Sequence, residues 1–120
     1  MTTREKNFPE SPPDHFENLS ELVQDISTID GVRQIWLVGA VTIRGARPND
    51  LDLVIDYEGN PADVPEVFEP FFGAFVTANG TDLRVDTNVV RETEPGAIQR
   101  TFSQPDSSGR RPNPRLLFRR

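Results

Sequence analysis

The segment Asp50-Leu51-Asp52-Leu53-Val54-Ile55-Asp56-Tyr57 reads as a β-strand, and everything around it must accommodate one. Side chains alternate at a period of two along a strand, so Leu51, Leu53 and Ile55 turn to a core while Asp50 and Asp52 share the opposite face. Asp56 shares the Asp50 face but comes at the far end, where a solvated acid is expected. Upstream, Ile35-Trp36-Leu37-Val38 is continuously apolar, the pattern of a short strand covered on both faces, with Trp36 in the core. Gly39-Ala40 closes that run, and Asp50 follows Gly39 by eleven residues. The connection contains Gly45, Pro48 and Asn49, with a short helical turn expected near Val41.

The flanking segments supply cover for a sheet. Phe16, Leu19, Leu22, Val23 and Ile26 follow helical spacing, with Glu17, Glu21 and Asp25 outside, so a first helix is expected to begin at Ser11 or Asp14. Asp30-Gly31 turns the chain. A second helix is expected over Val64 to Phe72, with Val67, Phe68, Phe71 and Phe72 inward and Pro70 kinking or shortening it. Phe75 joins this aromatic cluster, which reads as core; exposed members would mark an interface. After the turn signal Asn79-Gly80, residues 82–90 alternate, with Asp82, Arg84, Asp86 and Asn88 on one face and Leu83, Val85 and Val89 on the other. A short helical piece is expected around Ala97-Ile98-Gln99, then a loop from Ser103 to Pro114 and a final edge strand, Arg115 to Phe118. The fold class is α+β: a small mixed sheet with helices packed on it. Residues 1–13, with Pro9, Pro12 and Pro13, form a flexible arm; 14–102 form the domain; 103–120 form a basic C-terminal loop and edge strand.

At 120 residues the chain suits one core. It contains no cysteine, which excludes disulfides, thiolate nucleophiles and cysteine-bound zinc. His15 is the sole histidine and is expected on the surface of the first helical turn, leaving little basis for a histidine metal site or a serine–histidine dyad. There is no apolar run long enough for a membrane span and no signal-peptide pattern, so a cytoplasmic protein without membrane partners is expected. Residues 1–90 carry 6 basic and 16 acidic side chains, a net of −10, whereas residues 91–120 carry 7 and 3, a net of +4. The basic end either meets phosphates of a nucleotide or RNA, or pairs with the acidic body.

The acids suggest a chemistry. Asp50 and Asp52 point to one side, and Asp86 on another strand can complete a cradle for magnesium, a hard cation that takes oxygen ligands and retains some of its waters. Three carboxylates can hold two ions, one polarising phosphates and one lowering the pKa of an attacking hydroxyl. Asp50 and Asp52 would bridge both ions, and Asp86 would lie nearest the nucleophile. Asp82 competes for the third position; Asp86 is preferred. Gly39 lets backbone approach phosphate oxygens, the amides of Ala40 and Val41 can donate to them, and Thr42, Arg44 and Arg47 lie in the same loop.

This set of motifs, Ile35-Trp36-Leu37-Val38-Gly39-Ala40, then Pro48-Asn49-Asp50-Leu51-Asp52-Leu53-Val54, then Val85-Asp86, resembles the nucleotidyltransferase superfamily over roughly residues 16–90. Its members share the palm fold of DNA polymerase β, with a glycine-serine pair at a strand end, an acid-x-acid motif about ten residues later and a third acid on a following strand. Within it the chain looks most similar to a small group known as DUF6932, whose late Asp-x-x-Gly-Arg loop is echoed by Asp106-Ser107-Ser108-Gly109-Arg110. The resemblance implies a minimal palm that uses Mg2+ (two ions) to move a nucleoside monophosphate, AMP from ATP, onto a hydroxyl of a protein or RNA acceptor. Asp50, Asp52 and Asp86 would be catalytic and metal-binding, and Gly39, Ala40, Thr42, Arg44 and Arg47 would bind nucleotide. Small relatives of this kind occur in toxin–antitoxin and phage-defence pairs. The family serine is Ala40 here, a loss of one hydroxyl worth about 1–3 kcal/mol if it met a buried phosphate; the alternative implied is a decayed copy that acts as a binding module. The chain also lacks the helical domain that positions substrate in larger transferases, a surface that a dimer mate or partner protein would supply.

Overall fold

In the computed structural model, which describes residues 15–46 and 48–120, one mixed sheet organises the chain. Among the described residues its strands are β1 (His15–Phe16), β2 (Val32–Val38), β3 (Asp50–Tyr57), β4 (Phe75–Ala78), β5 (Thr81–Val90) and β6 (Arg115–Arg119), in the order β1-β4-β5-β3-β2-β6. β3 lies in the middle, antiparallel to β2 and parallel to β5. The helices are α1 (Leu19–Ser27), α2 (Val64–Val67) and α3 (Ala97–Phe102). The protein is a compact α+β domain, and among the described residues no helix is long and apolar enough to cross a membrane.

The two faces of the sheet carry separate cores. On one, Leu22, Val23 and Ile26 of α1 and the rings of Phe68 and Phe71 pack against Ile35, Leu37, Leu51, Leu53, Ile55 and Val85. On the other, Trp36, Val38 and Val54 are covered by Ile98 and Phe102 of α3. Past the irregularity between Val32 and Gln34, the even-numbered residues of β2 and β3 therefore turn to the face of the smaller core, and the acids of β3 lie on that same face.

Several expectations are corrected. Helix α1 starts later than Ser11 or Asp14, both of which lie outside the described residues along with the arm 1–13: Asn18 is its N-cap, accepting from the Glu21 amide at 2.9 Å, while Glu21 Oε1 accepts from the Glu17 amide at 2.8 Å. His15 and Phe16 are not helical. They pair in parallel with Phe75 and Val76, and Phe16 is buried with its ring stacked on Phe71. Its match to the helical spacing reflects burial on the same core from a different backbone. The expected second helix breaks after one turn: Pro70 has no amide to donate, and Glu69–Phe71 forms a 3-10 turn instead. Phe68 and Phe71 remain buried, but Phe72 and Phe75 face outward. Strand β4 has no counterpart in the sequence reading; it forms a hairpin with β5 across Asn79 and Gly80, both at positive φ. Strand β6 forms at the sheet edge, beside β2.

Candidate functional site

The register places Asp52 between the end of β2 and the middle of β5. It stands opposite Val38 of β2 on one side and opposite Asp86 of β5 on the other, while Asp50 stands opposite Arg84. Neighbouring strands lie about 4.8 Å apart and side chains in register share a face, so Asp52 and Asp86 are adjacent carboxylates. Asp82 is four residues before Asp86 on β5 and is turned to other work, accepting from Thr77 Oγ1 at 2.8 Å and lying 3.5 Å from His15 Nε2. His15 is thus a half-buried strand residue and not a helical surface residue.

Gly39 lies directly against the Asp52 side chain. Its backbone, at φ 81° and ψ −158°, occupies a region essentially reserved for glycine, and a Cβ there would run into the Asp52 carboxylate. Ala40–Thr42 then form one 3-10 turn, closed by the Thr42 and Ile43 amides onto the Gly39 and Ala40 carbonyls at 3.0 Å each. The amides of Ala40 and Val41 come before those bonds and have no partner within the turn. Ala40 and Arg44 are exposed. The Thr42 hydroxyl donates to Gly39 O at 2.8 Å and accepts from the Asn113 amide at 2.9 Å, tying the C-terminal loop to the glycine turn. Arg47 lies outside the described residues.

Burial pushes the Asp52 carboxyl above its ordinary value, and the nearby charges of Asp86 and Asp50 push it further. That is the electrostatic signature of a place where a cation would be welcome. Arg84 Nε lies 3.6 Å from Asp86 Oδ1, in a pair whose side chains are 62% and 43% exposed. Among the described residues no group of three or more His, Asp or Glu side chains already stands as a metal-ligand set. The oxygen donors present, Asp52 and Asp86 with Asp50 two residues before Asp52 on the same face, fit magnesium in its usual mode of one or two carboxylates plus substrate phosphates.

Asp56 overturns its expectation as a solvated acid. It is fully buried, and its carboxylate accepts from Arg33 Nη2 at 2.9 Å, the Glu92 amide at 2.9 Å and Gln34 Nε2 at 2.8 Å. Burial alone would raise this carboxyl, but the three hydrogen bonds and the Arg33 charge together hold it below its ordinary value. The network continues: Gln34 Oε1 accepts from Trp36 Nε1 at 3.0 Å, and Glu92 accepts from Gln34 Nε2 at 2.9 Å and from the Ile98 amide at 2.8 Å. It anchors the start of α3 to β2 and β3. The one hint of it in the sequence was the apolar flanks of Asp56, Ile55 and Tyr57.

The late Asp-x-x-Gly-Arg stretch is a self-contained loop. Asp106 Oδ1 accepts from the Ser108 amide at 2.9 Å, the Ser108 hydroxyl at 2.6 Å and the Arg110 amide at 2.9 Å, and Gly109 sits at φ 86°. Much of the basic end is used internally: Arg100 pairs with Glu94, Arg110 with Asp106, and Arg120 donates to the carbonyls of Val32 and Ser27. No protein-family model, no curated protein and no solved structure matches this chain.

Proposed function

We propose that this chain is a minimal nucleotidyltransferase with a palm-like sheet, transferring AMP from ATP to a hydroxyl of a protein or RNA acceptor. The observation that carries the reading is the adjacency of Gly39, just past the end of β2, with Asp52 near the start of β3 and Asp86 in the middle of β5. Asp52 and Asp86, with Asp50 beside them, would hold Mg2+, which supplies charge neutralisation on the phosphates and an acidified nucleophile when bound. The bare backbone at Gly39 admits phosphate oxygens close to the chain, and the Ala40 and Val41 amides donate to them. Arg44 is exposed in the same loop and free to reach a phosphate.

In the reaction the acceptor oxygen attacks the α-phosphorus, the bond from that phosphorus to the β-phosphate bridging oxygen breaks, and pyrophosphate leaves with the electron pair. Asp86, half-exposed on the acceptor side, takes the hydroxyl proton. Thr42 acts as a positioning residue, because its hydroxyl is committed to Gly39 and Asn113.

One observation favours a second reading, a binding module that keeps the fold without the chemistry. Ala40 offers no hydroxyl to phosphate, and Arg84 competes for Asp86. Radiolabelled ATP with candidate acceptors separates the two: metal-dependent label transfer that is abolished in Asp52→Asn supports the transferase. Transfer that persists in that variant refutes it, and an absence of calorimetric heat with ATP and magnesium in a folded protein selects the module.

A further inference from the structure

Strand β6 closes one side of the sheet, and among the described residues it is paired with β2 alone. Alternate residues of such a strand turn their N–H and C=O groups away from the neighbour. Arg119 is one of them: the Arg120 amide donates to Arg33 O at 2.9 Å, which makes Arg33 and Arg120 the hydrogen-bonded pair and turns the backbone of Arg119 outward. Leu116, opposite Trp36, is 40% exposed on the same edge. A hollow of about 280 Å³ adjoins this edge on the α1 side, lined by Leu19, Ser20, Val23 and Leu117.

The side chains of this edge carry one sign of charge. Residues 110–120 contain five arginines and no acid, in a chain of net charge −6. Arg110 is paired with Asp106, Arg119 donates to Gln34 Oε1, and Arg120 is spent on the carbonyls of Ser27, Ile29 and Val32. Arg111 and Arg115 are exposed and, among the described residues, have neither an ion pair nor a side-chain hydrogen bond. Arg115 stands opposite Leu37, which belongs to the core under α1, and the bulge of β6 opposite Ile35 and Trp36 turns both Leu117 and Phe118 to that side. Arg115 and Leu117 therefore share the face that carries the hollow. Across it α1 offers no countercharge, because Glu21 and Asp25 follow Leu19 and Val23 by two residues and point to the opposite side of the helix.

We propose that β6 takes an extended acidic segment of another protein as a further strand, with one apolar side chain of that segment seated in the hollow. Residues two positions apart on an added strand lie on the same face, so a glutamate or aspartate two residues from the apolar anchor meets Arg115, and the residue between them covers Leu116. The open amides and carbonyls supply affinity, while the hollow and Arg115 supply selectivity. A second copy of this chain is disfavoured: two β6 strands related by a two-fold axis through Leu117 set Arg115 of one against Arg119 of the other, like charges directly opposite. A nucleic acid would meet the arginines but has no complement to a row of alternating amides and carbonyls.

The test is fluorescence anisotropy of a labelled synthetic peptide with a central Glu-Thr-Leu-Thr-Glu pattern and threonine flanks, titrated with the full chain at fixed ionic strength. Two control peptides carry lysine for glutamate or proline for both central threonines. Saturable binding of the first peptide and none of the controls is expected, with the Arg119 amide gaining protection from hydrogen exchange in the complex. Arg115→Glu is expected to weaken binding roughly tenfold, and Ser20→Phe, an exposed change that fills the hollow, to weaken it to a similar degree. Arg91→Glu, just past β5 and with β3 and β2 between it and β6, leaves it unchanged. No binding at ~1 mM peptide, equal binding of the proline peptide, or unchanged affinity in both edge variants overturns the proposal. So does tighter binding of an oligouridylate of equal charge, which makes the arginines a nucleic-acid face, or sedimentation as a dimer that the peptide dissociates, which makes a second copy the occupant. Asp52→Asn is expected to leave this titration intact, so failure here and failure of the transferase reading are told apart.

Discussion

Replacing Asp56 by asparagine changes one atom for another of similar size, and its cost can be worked from the donors around the carboxylate. Oδ1 takes Arg33 and the Glu92 amide, and Oδ2 takes Gln34 Nε2. The asparagine oxygen can keep the first two, but as neutral bonds, a weakening of roughly 0.5–1 kcal/mol each. The new NH2 then faces the Gln34 NH2, donor against donor. Rotating Gln34 gives no relief, because its Oε1 already accepts from Trp36 and Arg119. One buried donor is left unmade, at about 1–3 kcal/mol. Arg33 is 37% exposed and can be solvated, so the full cost of a stranded buried charge is not incurred. The sum is about 3 kcal/mol, a sizeable part of the roughly 5–15 kcal/mol that holds a domain together. At roughly 4 °C per kcal/mol for a chain of this size, the midpoint should fall by about 12 °C.

Thermal and urea denaturation followed by circular dichroism at neutral pH give the comparison. The pH dependence adds a second check. The Asp56 carboxyl is held below its ordinary value of 3.8, so its stabilisation is complete above that pH and is lost as the pH falls through the lower, folded-state value. The wild-type advantage over Asp56→Asn should therefore be flat from pH 5 to 8 and narrow below 3.8. A loss under about 1 kcal/mol, the size expected for an ordinary surface change, would mean that the network is not closed as described.

The acidic pair should behave in the opposite sense. In chelator Asp52→Asn is expected to stabilise the fold by roughly 0.5–1 kcal/mol, since it removes a partly buried charge from beside two like charges; because the Asp52 carboxyl is raised, this gain should be present at neutral pH and vanish as the pH drops through the folded-state value toward 3.8. A variant less stable than the parent in calorimetry would count against the crowding of charge. Gly39→Ala should cost about 1–3 kcal/mol from its backbone region, more once the methyl meets Asp52, and should remove the transfer proposed above; an unchanged midpoint in chemical denaturation would rule out the described turn. Phe68→Ala should lose roughly 3–5 kcal/mol and Phe72→Ala under 1 kcal/mol, because the first ring is buried edge-on to Tyr57 at 5.1 Å and the second is exposed; equal losses would contradict the outward placement of Phe72.

The central strands were legible because their signals are local. Alternation at Asp50–Tyr57 and at 82–90 sets which side each residue takes, and the register places Asp86, and not Asp82, opposite Asp52. Strand β1 and strand β4 were not legible, because each is short and owes its conformation to its neighbours, β1 to β4 and β4 to β5. Phe16 is buried by a partner 60 residues away, and no window around it contains that information. Asp56 was misread for a related reason. Its donors, Arg33, Gln34 and Glu92, come from other segments, so the sequence displays a charge at a strand end while its compensation becomes visible only with the pairing in place.

The bond from the Asn113 amide to Thr42, and the pairing of Arg115–Arg119 along β2, join segments roughly seventy or more residues apart. Such closures are entropically costly and come late in folding, after shorter loops have formed. The glycine turn next to Asp52 is therefore braced from its outer side only when the last part of the described chain docks. A nascent protein would carry its acids assembled but unbraced, so competence at this end of the sheet should arrive as the final step of maturation.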